Sequence, residues 1–205
     1  VSAAQTRKRS PRGPYVPGRE AQRVILDAAR AVFAERGYRG GVLRDVAERA
    51  GVSAGNIIHH FGSKEGLLVA LLEERDIGSN LGPQPQAGDD FIQGLRDLVR
   101  RNSADPGMVR LFATLAAEAT EADHPAHQFF RDRYAMVQAA VTTGVEAARH
   151  AETLPDGPPA EQIAAGLIAV MDGLQTQWLL NPTFDMVRAF DAHLRAIGAH
   201  LNDHA

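Results

Sequence analysis

The side chains with chemistry to offer are concentrated between Leu43 and Phe61, in the run LRDVAERAGVSAGNIIHHF. Two short helices joined by a tight turn need a small residue where they cross, and Ala47 supplies it. They also need a turn residue that tolerates positive φ, and Gly51 follows four positions later. Val46, Ala50, Val52, Ile57 and Phe61 are the apolar positions that would lock the pair together. Ser53 is a good N-cap for the second helix and leaves the next side chains free to face outward. Such a helix-turn-helix sets its second helix into the DNA major groove. A plain helical hairpin satisfies the same spacing. In the second helix, the Asn56 amide can pair in bidentate fashion with adenine N6 and N7, or it can cap the helix start.

Histidine is the other candidate chemistry. Eight are present, and Asp123, His124 and His127 fall close together in DHPAH. A metal site would need further ligands at helical spacing on a neighbouring segment, and none stands out. Asp123-His124-Pro125 also reads as a helix start, with Asp123 as its cap. No Ser-His-Asp arrangement, phosphate-cradling glycine loop or paired-carboxylate motif is evident. The sequence therefore points away from an enzyme, with no catalytic residue, metal or cofactor expected. The absence of cysteine excludes disulfides and thiolate chemistry and fits a reducing, cytoplasmic setting.

These groups must be held by helices. Residues 1–19 carry three prolines, two glycines and five basic residues with no acid, which predicts a flexible basic arm able to lie along DNA phosphates or only to aid solubility. Helical periodicity begins at Glu20, with Ile25, Ala28, Ala29, Val32 and Phe33, and stops at Gly37. Short helices follow at about 43–50 and 54–60, then one at about 64–79. Residues 80–88, NLGPQPQAG, predict a loop. Beyond it come a helix with Phe91, Ile92, Leu95 and Leu98, one opened by Asp105-Pro106, a long one from about Pro125 to His150, and two more before the end. No stretch has strand periodicity, so an all-α fold of about nine helices is expected. The longest apolar run, Ile163 to Met171, stops at Asp172 and is too short to cross a membrane, and the N-terminal stretch does not read as a signal peptide. Charge divides along the chain. Residues 1–64 hold twelve Lys/Arg against five Asp/Glu, a balance of +7, whereas 65–205 balance at −10. Only the first third is suited to a polyanion.

Residues 23–72 closely resemble the DNA-binding region of the TetR family of repressors. The likeness rests on RVILDAARAVFAERGY (23–38) and LRDVAERAGVSAGNIIHHFGSKEGLL (43–68), with Gly37-Tyr38, D-V-A-x-x-A-G-V-S and H-F-x-S-K-E-x-L-L in order. It implies a three-helix DNA-binding domain at 20–64, base-reading positions at Ala54, Gly55, Asn56 and His59, and backbone contacts from His60 and Lys64. Ser53 and Arg44, at the starts of the two motif helices, complete the DNA-binding set. Two departures stand out: the family usually has Thr or Ser around Gly41 and Val42, and Tyr at the position of Ile58. Each is a contact to a DNA phosphate that this chain does not offer, so the resemblance implies a reduced or rerouted grip on the backbone.

The resemblance further implies that residues 65–205 bind a small molecule and form a homodimer. Met108, Phe112, Phe130, Tyr134, Met171 and Trp178, with Gln138 and Gln175, are the candidate cavity lining for an apolar or aromatic effector, although each also suits a plain core. Val187, Phe190, Leu194, Ile197 and Leu201 are spaced 3, 4, 3, 4 and predict a helix-packing seam. Small residues Ala164, Ala165, Gly166, Ala169 and Gly173 mark the helix before it. Both stripes suit either a dimer interface or the subunit interior, and the resemblance favours a four-helix interface built from the last two helices of each chain. The function implied is an effector-responsive repressor on a palindromic operator. The competing expectation is a small-molecule binding protein of the same fold without operator affinity.

Overall fold

The computed structural model describes residues 18–78 and 91–201 and folds them into nine helices: α1 Gly18–Gly40, α2 Leu43–Ala50, α3 Ala54–Phe61, α4 Lys64–Gly78, α5 Phe91–Ser103, α6 Pro106–Glu118, α7 His127–His150, α8 Ala160–Leu180 and α9 Met186–Ala196. The loop expected at 80–88, and all of the expected arm but its last two residues, lie outside the described residues.

Local sequence explains most of the element ends. Gly37 breaks α1 with φ 68° and ψ 176°, a conformation open mainly to glycine. Gly51 closes α2 in the left-handed region, φ 66° and ψ 27°, and Ser53 caps α3 by accepting the Asn56 N–H at 3.1 Å. Asp105 caps α6 in the same way through the Met108 N–H, with Pro106 in the first turn where no N–H is needed. By contrast, α7 begins at His127, not Pro125, and Asp123 does not cap it; Ala126 holds the N-cap position without a side-chain hydrogen bond.

Two apolar clusters organise the chain. The first joins α1–α4 to α6 and the start of α7: Ile25, Phe33, Ile57, Leu68 and Leu71 lie in one body with Leu111, Phe112, Leu115 and Phe130. The second gathers α5, α7, α8 and α9 around Ile92, Val145, Leu167, Phe190 and Leu194. Arg96 of α5 clamps this second cluster by a bidentate pair with Asp191 of α9, at 2.8 and 2.9 Å and nearly buried. Losing one partner of such a pair costs about 3–5 kcal/mol, because the other charge is left buried.

Two expectations need correction here. The proposed 187–201 seam is not one continuous helical stripe. Helix α9 ends at Ala196, Gly198 turns away at φ 82°, and Leu201 lies beyond it. Phe190 and Leu194 are fully buried inside the subunit, so they serve the interior, as the alternative reading of that stripe has it. The apolar segment around Ile163 is also longer than its uninterrupted run. The helix carries on through Asp172 to Leu180 and, among the described residues, α8 alone is long and apolar enough to cross a membrane by length and composition. One of its rows packs inward through Ala164 and Leu167, while Ala165, Gly166, Ala169, Gly173 and Leu180 are exposed.

Candidate functional site

Helices α2 and α3 are fixed against α1 by Val46, Ala47 and Ile57, each nearly or fully buried. The turn between them is held by the Val52 N–H donating to the Ala47 carbonyl at 3.0 Å. With Ile57 turned inward, the outward face of α3 consists of Ala54, Gly55, Asn56, Ile58 and His59. Ser53, not Asn56, supplies the side-chain cap, so the Asn56 amide carries no hydrogen bond among the described residues. His59 is exposed and His60 half-buried, with ring centroids 5.3 Å apart in an edge-on arrangement. Arg44 is exposed at the start of α2 and forms no ion pair among the described residues. Arg36 and Arg49 are instead engaged by Asp45 and Glu35. Of the eight expected DNA-binding residues, Arg44, Ser53, Ala54, Gly55, Asn56 and His59 are exposed and His60 is half-buried.

Lys64 is the exception. Its ammonium donates to the Tyr38 carbonyl at 2.6 Å and stands 4.2 Å above the centre of the Tyr38 ring. Burial holds its pKa below the usual lysine range, against the opposing pull of Glu65 and Glu118. In this state it clasps α4 to the end of α1 and does not point outward. The departure at Gly41 also has a packing cause. A Cβ there would stand 2.7 Å from the Phe33 ring, so no hydroxyl-bearing residue fits without moving the core.

Tyr38 is the centre of a junction that sequence reasoning missed. Its hydroxyl donates to Glu65 at 2.9 Å, and its ring meets His124 edge-on at 5.2 Å. Burial first, and the Glu65 bond second, push the phenol well above its usual range. The Glu65 backbone N–H, then the Ser63 and Tyr38 hydroxyls, hold the Glu65 carboxylate below the usual carboxylate range. His124 is buried; its Nδ1 accepts the Ala126 N–H at 3.2 Å and its Nε2 lies 3.5 Å from Glu118. His127 bonds the Ala119 carbonyl through Nδ1 at 2.8 Å. The DHPAH histidines thus organise the turn between α6 and α7. Among the described residues, no cluster of side chains is suited to hold a metal.

A cavity of about 180 Å³ opens between α5, α6, α7 and α8. Of the expected lining, Phe112, Phe130, Tyr134, Met171 and Gln175 reach it. Three residues do not. Met108 is buried in the cluster shared with α1–α4, Gln138 donates to the Glu161 carbonyl at 2.8 Å, and Trp178 packs on the second cluster. Each sits on the correct helix but on another of its faces. The polar residues that sequence reasoning missed are Asn102, Arg133, Asp172 and Thr176. The Tyr134 hydroxyl donates to Asp172 at 2.7 Å, and its pKa is pushed up to about 12 by burial and by that carboxylate. Arg133 lies 5.1 Å from the Phe112 ring centre, a cation–π contact. The other lining residues are mostly apolar, so the cavity is an apolar space with a minority of polar groups in its walls.

Comparison with known proteins agrees with both halves. Residues 25–71 match the family described as bacterial regulatory proteins of the tetR family, and residues 92–201 match the C-terminal region of BetI-type transcriptional repressors. The repressor Rv1474c of Mycobacterium tuberculosis is 30% identical over 155 residues, which cover 75% of this chain and 79% of that protein. The repressor KstR2 of Rhodococcus jostii is 31% identical over 108 residues, 53% of this chain but only 47% of its own length. A crystal structure of a transcriptional regulator from Rhodococcus sp. Rha1 shares the fold, with a TM-score of 0.71 at 23% identity over 88% of this chain and 98% of that one. Motif geometry, a two-part helical fold and these matches lead to one conclusion: the chain belongs to the TetR family of helix-turn-helix transcriptional regulators.

Proposed function

We propose that this protein is a cytoplasmic, homodimeric repressor that holds a palindromic operator through α3 and releases it when a small molecule enters the cavity between α5 and α8. The basic arm and residues 20–64 form the DNA-binding part in this reading; residues 65–205 bind the effector and pair the subunits. The observation that carries it concerns Phe112 and Phe130. Their rings meet edge-on at 5.8 Å, they line the cavity, and they belong to the same buried cluster as the core of α1–α4. A molecule that displaces either ring acts on the packing that orients α3. The route favoured runs through α6 and the Tyr38 junction, with helix α4, the lever the resemblance suggests, held to Tyr38 by Lys64 and Glu65.

Two states linked in this way respond to a ligand in proportion to its differential affinity for them. The cavity is small beside pockets for drug-sized ligands, typically about 300–1,000 Å³. Its chemistry favours a compact effector with an apolar or aromatic body and one polar end facing Tyr134, Asp172 and Arg133. For the dimer, the exposed small-residue face of α8 is the favoured contact. A mobility-shift assay with DNA flanking the protein's own gene tests the reading, with retardation expected at nanomolar protein. The missing hydroxyls at Gly41 and Ile58 favour a second reading, a ligand-binding relative without operator affinity. Absence of any retarded complex alongside measurable ligand binding would select it.

A further inference from the structure

Ile58 has no role in the fold that accounts for it. Its neighbour Ile57 is completely buried, yet Ile58 is 43% exposed and joins neither apolar cluster. The exposed large hydrophobics among the described residues include Tyr134 in the cavity wall and Leu180 at the end of α8. Ile58 is instead on the outward face of α3. Residues four apart share a row on a helix surface, so Ala54 and Ile58 stand one above the other. Gly55 brings no side chain to cover that row, and Asn56 flanks it.

An isoleucine at this place has few partners in a complex with DNA. Against the backbone it would strip water from phosphate oxygens and return no hydrogen bond, which is costly. Among base edges in the major groove, the apolar group is the C5-methyl of thymine. We propose that Ile58 is a specificity-determining residue that reads a thymine 5-methyl group in each half-site, with the Ala54 methyl beside it. Where the family offers a tyrosine at this position, this chain offers a methyl-to-methyl contact and with it a sequence preference. The inference rests on α3 being the helix that reads DNA.

The test uses the full chain and a duplex obtained by selecting tight binders from random DNA. Each thymine of that duplex is replaced in turn by deoxyuridine, which removes one methyl and leaves the hydrogen-bonding edges unchanged. Binding should weaken about fourfold per methyl lost, the ratio set by transferring one such group from water, at one symmetry-related position per half-site. Ile58→Ala should bind the thymine and deoxyuridine forms of that position equally well while keeping the wild-type oligomeric state and melting temperature. Uniform tolerance of deoxyuridine by the wild type would overturn the proposal, and so would an undiminished thymine preference in Ile58→Ala. A selection that enriches no sequence fails one step earlier, with the wild type, and overturns the DNA-reading assignment together with the proposal.

Discussion

The outward faces of α3 and α8 are both left uncovered by the subunit, yet they could hardly differ more. On α3 the face carries an amide, an imidazole and one branched aliphatic chain, in the first third of the chain, whose charge balance is +7. On α8 the small residues Ala165, Gly166, Ala169 and Gly173 lie between exposed Gln162 and Gln177, and a Cβ built on either glycine meets nothing within 4 Å. Side chains that project with donors and acceptors suit a groove lined by base edges. Side chains that barely project let a second helix approach closely and offer nothing to a phosphate. One fold thus exposes two faces of opposite character, and under the proposed function the first reads DNA and the second pairs subunits.

The largest effect should come from α8. Gly173→Arg places a charge in open space, so the subunit should still fold. Losing the partner should weaken operator binding about 100-fold or more, because the second half-site then no longer adds avidity. Sedimentation should show a monomer at micromolar concentration, and a persistent dimer would remove α8 from the interface. Leu194→Glu makes the contrast sharp. That residue is fully buried, so the loss should appear in folding itself, by about 3–5 kcal/mol in urea titration.

On the α3 side, Asn56→Ala should cost about 1–3 kcal/mol at the cognate site, relax preference at one base pair per half-site, and leave stability unchanged. Equal weakening on cognate and random DNA would make Asn56 a backbone contact. Restoring the family's hydroxyl by Gly41→Ser should fail to strengthen binding. The Phe33 ring must move aside for the new Cβ, and overpacking of this kind costs about 1–3 kcal/mol in unfolding experiments.

The smallest effect belongs to the junction between the two regions. Tyr38→Phe removes the hydrogen bond to Glu65 at a cost of about 1 kcal/mol, since Glu65 is exposed and its charge is screened. The folded pKa of Glu65 is depressed below its ordinary value of 4.5, so its contribution is present above that value and lost as pH falls through the lower folded pKa. The stability gap between wild type and Tyr38→Phe should accordingly close in acid below pH 4.5 and stay constant at neutral pH. Urea midpoints measured across that range check it.

What could be read in the sequence was local. Gly51 and Ser53 act on residues within five positions of themselves, and the structure places both as the spacing predicts. The missed features are contacts between distant positions. Arg96 and Asp191 are 95 residues apart, and no pattern in either helix names the other. His124 reads as part of a helix start until Tyr38, far upstream, is brought against it. The 187–201 stripe is ambiguous for a related reason: a 3, 4 repeat says that a face is covered but not by which partner, and the subunit itself buries Phe190 and Leu194. In the cavity, Met108, Gln138 and Trp178 were assigned by helix and residue type, whereas the face each presents depends on helix packing.

Hydroxyl-radical footprinting of the full chain on its selected operator tests the central claim most directly. Two subunits presenting α3 from a shared α8 interface should protect two symmetric segments on one face of the duplex, their centres one helical turn or a whole multiple apart. The protection should vanish with Gly173→Arg at protein concentrations that saturate the wild type. A single protected segment, or protection without two-fold symmetry, would contradict a dimer that reads with α3 and pairs through α8.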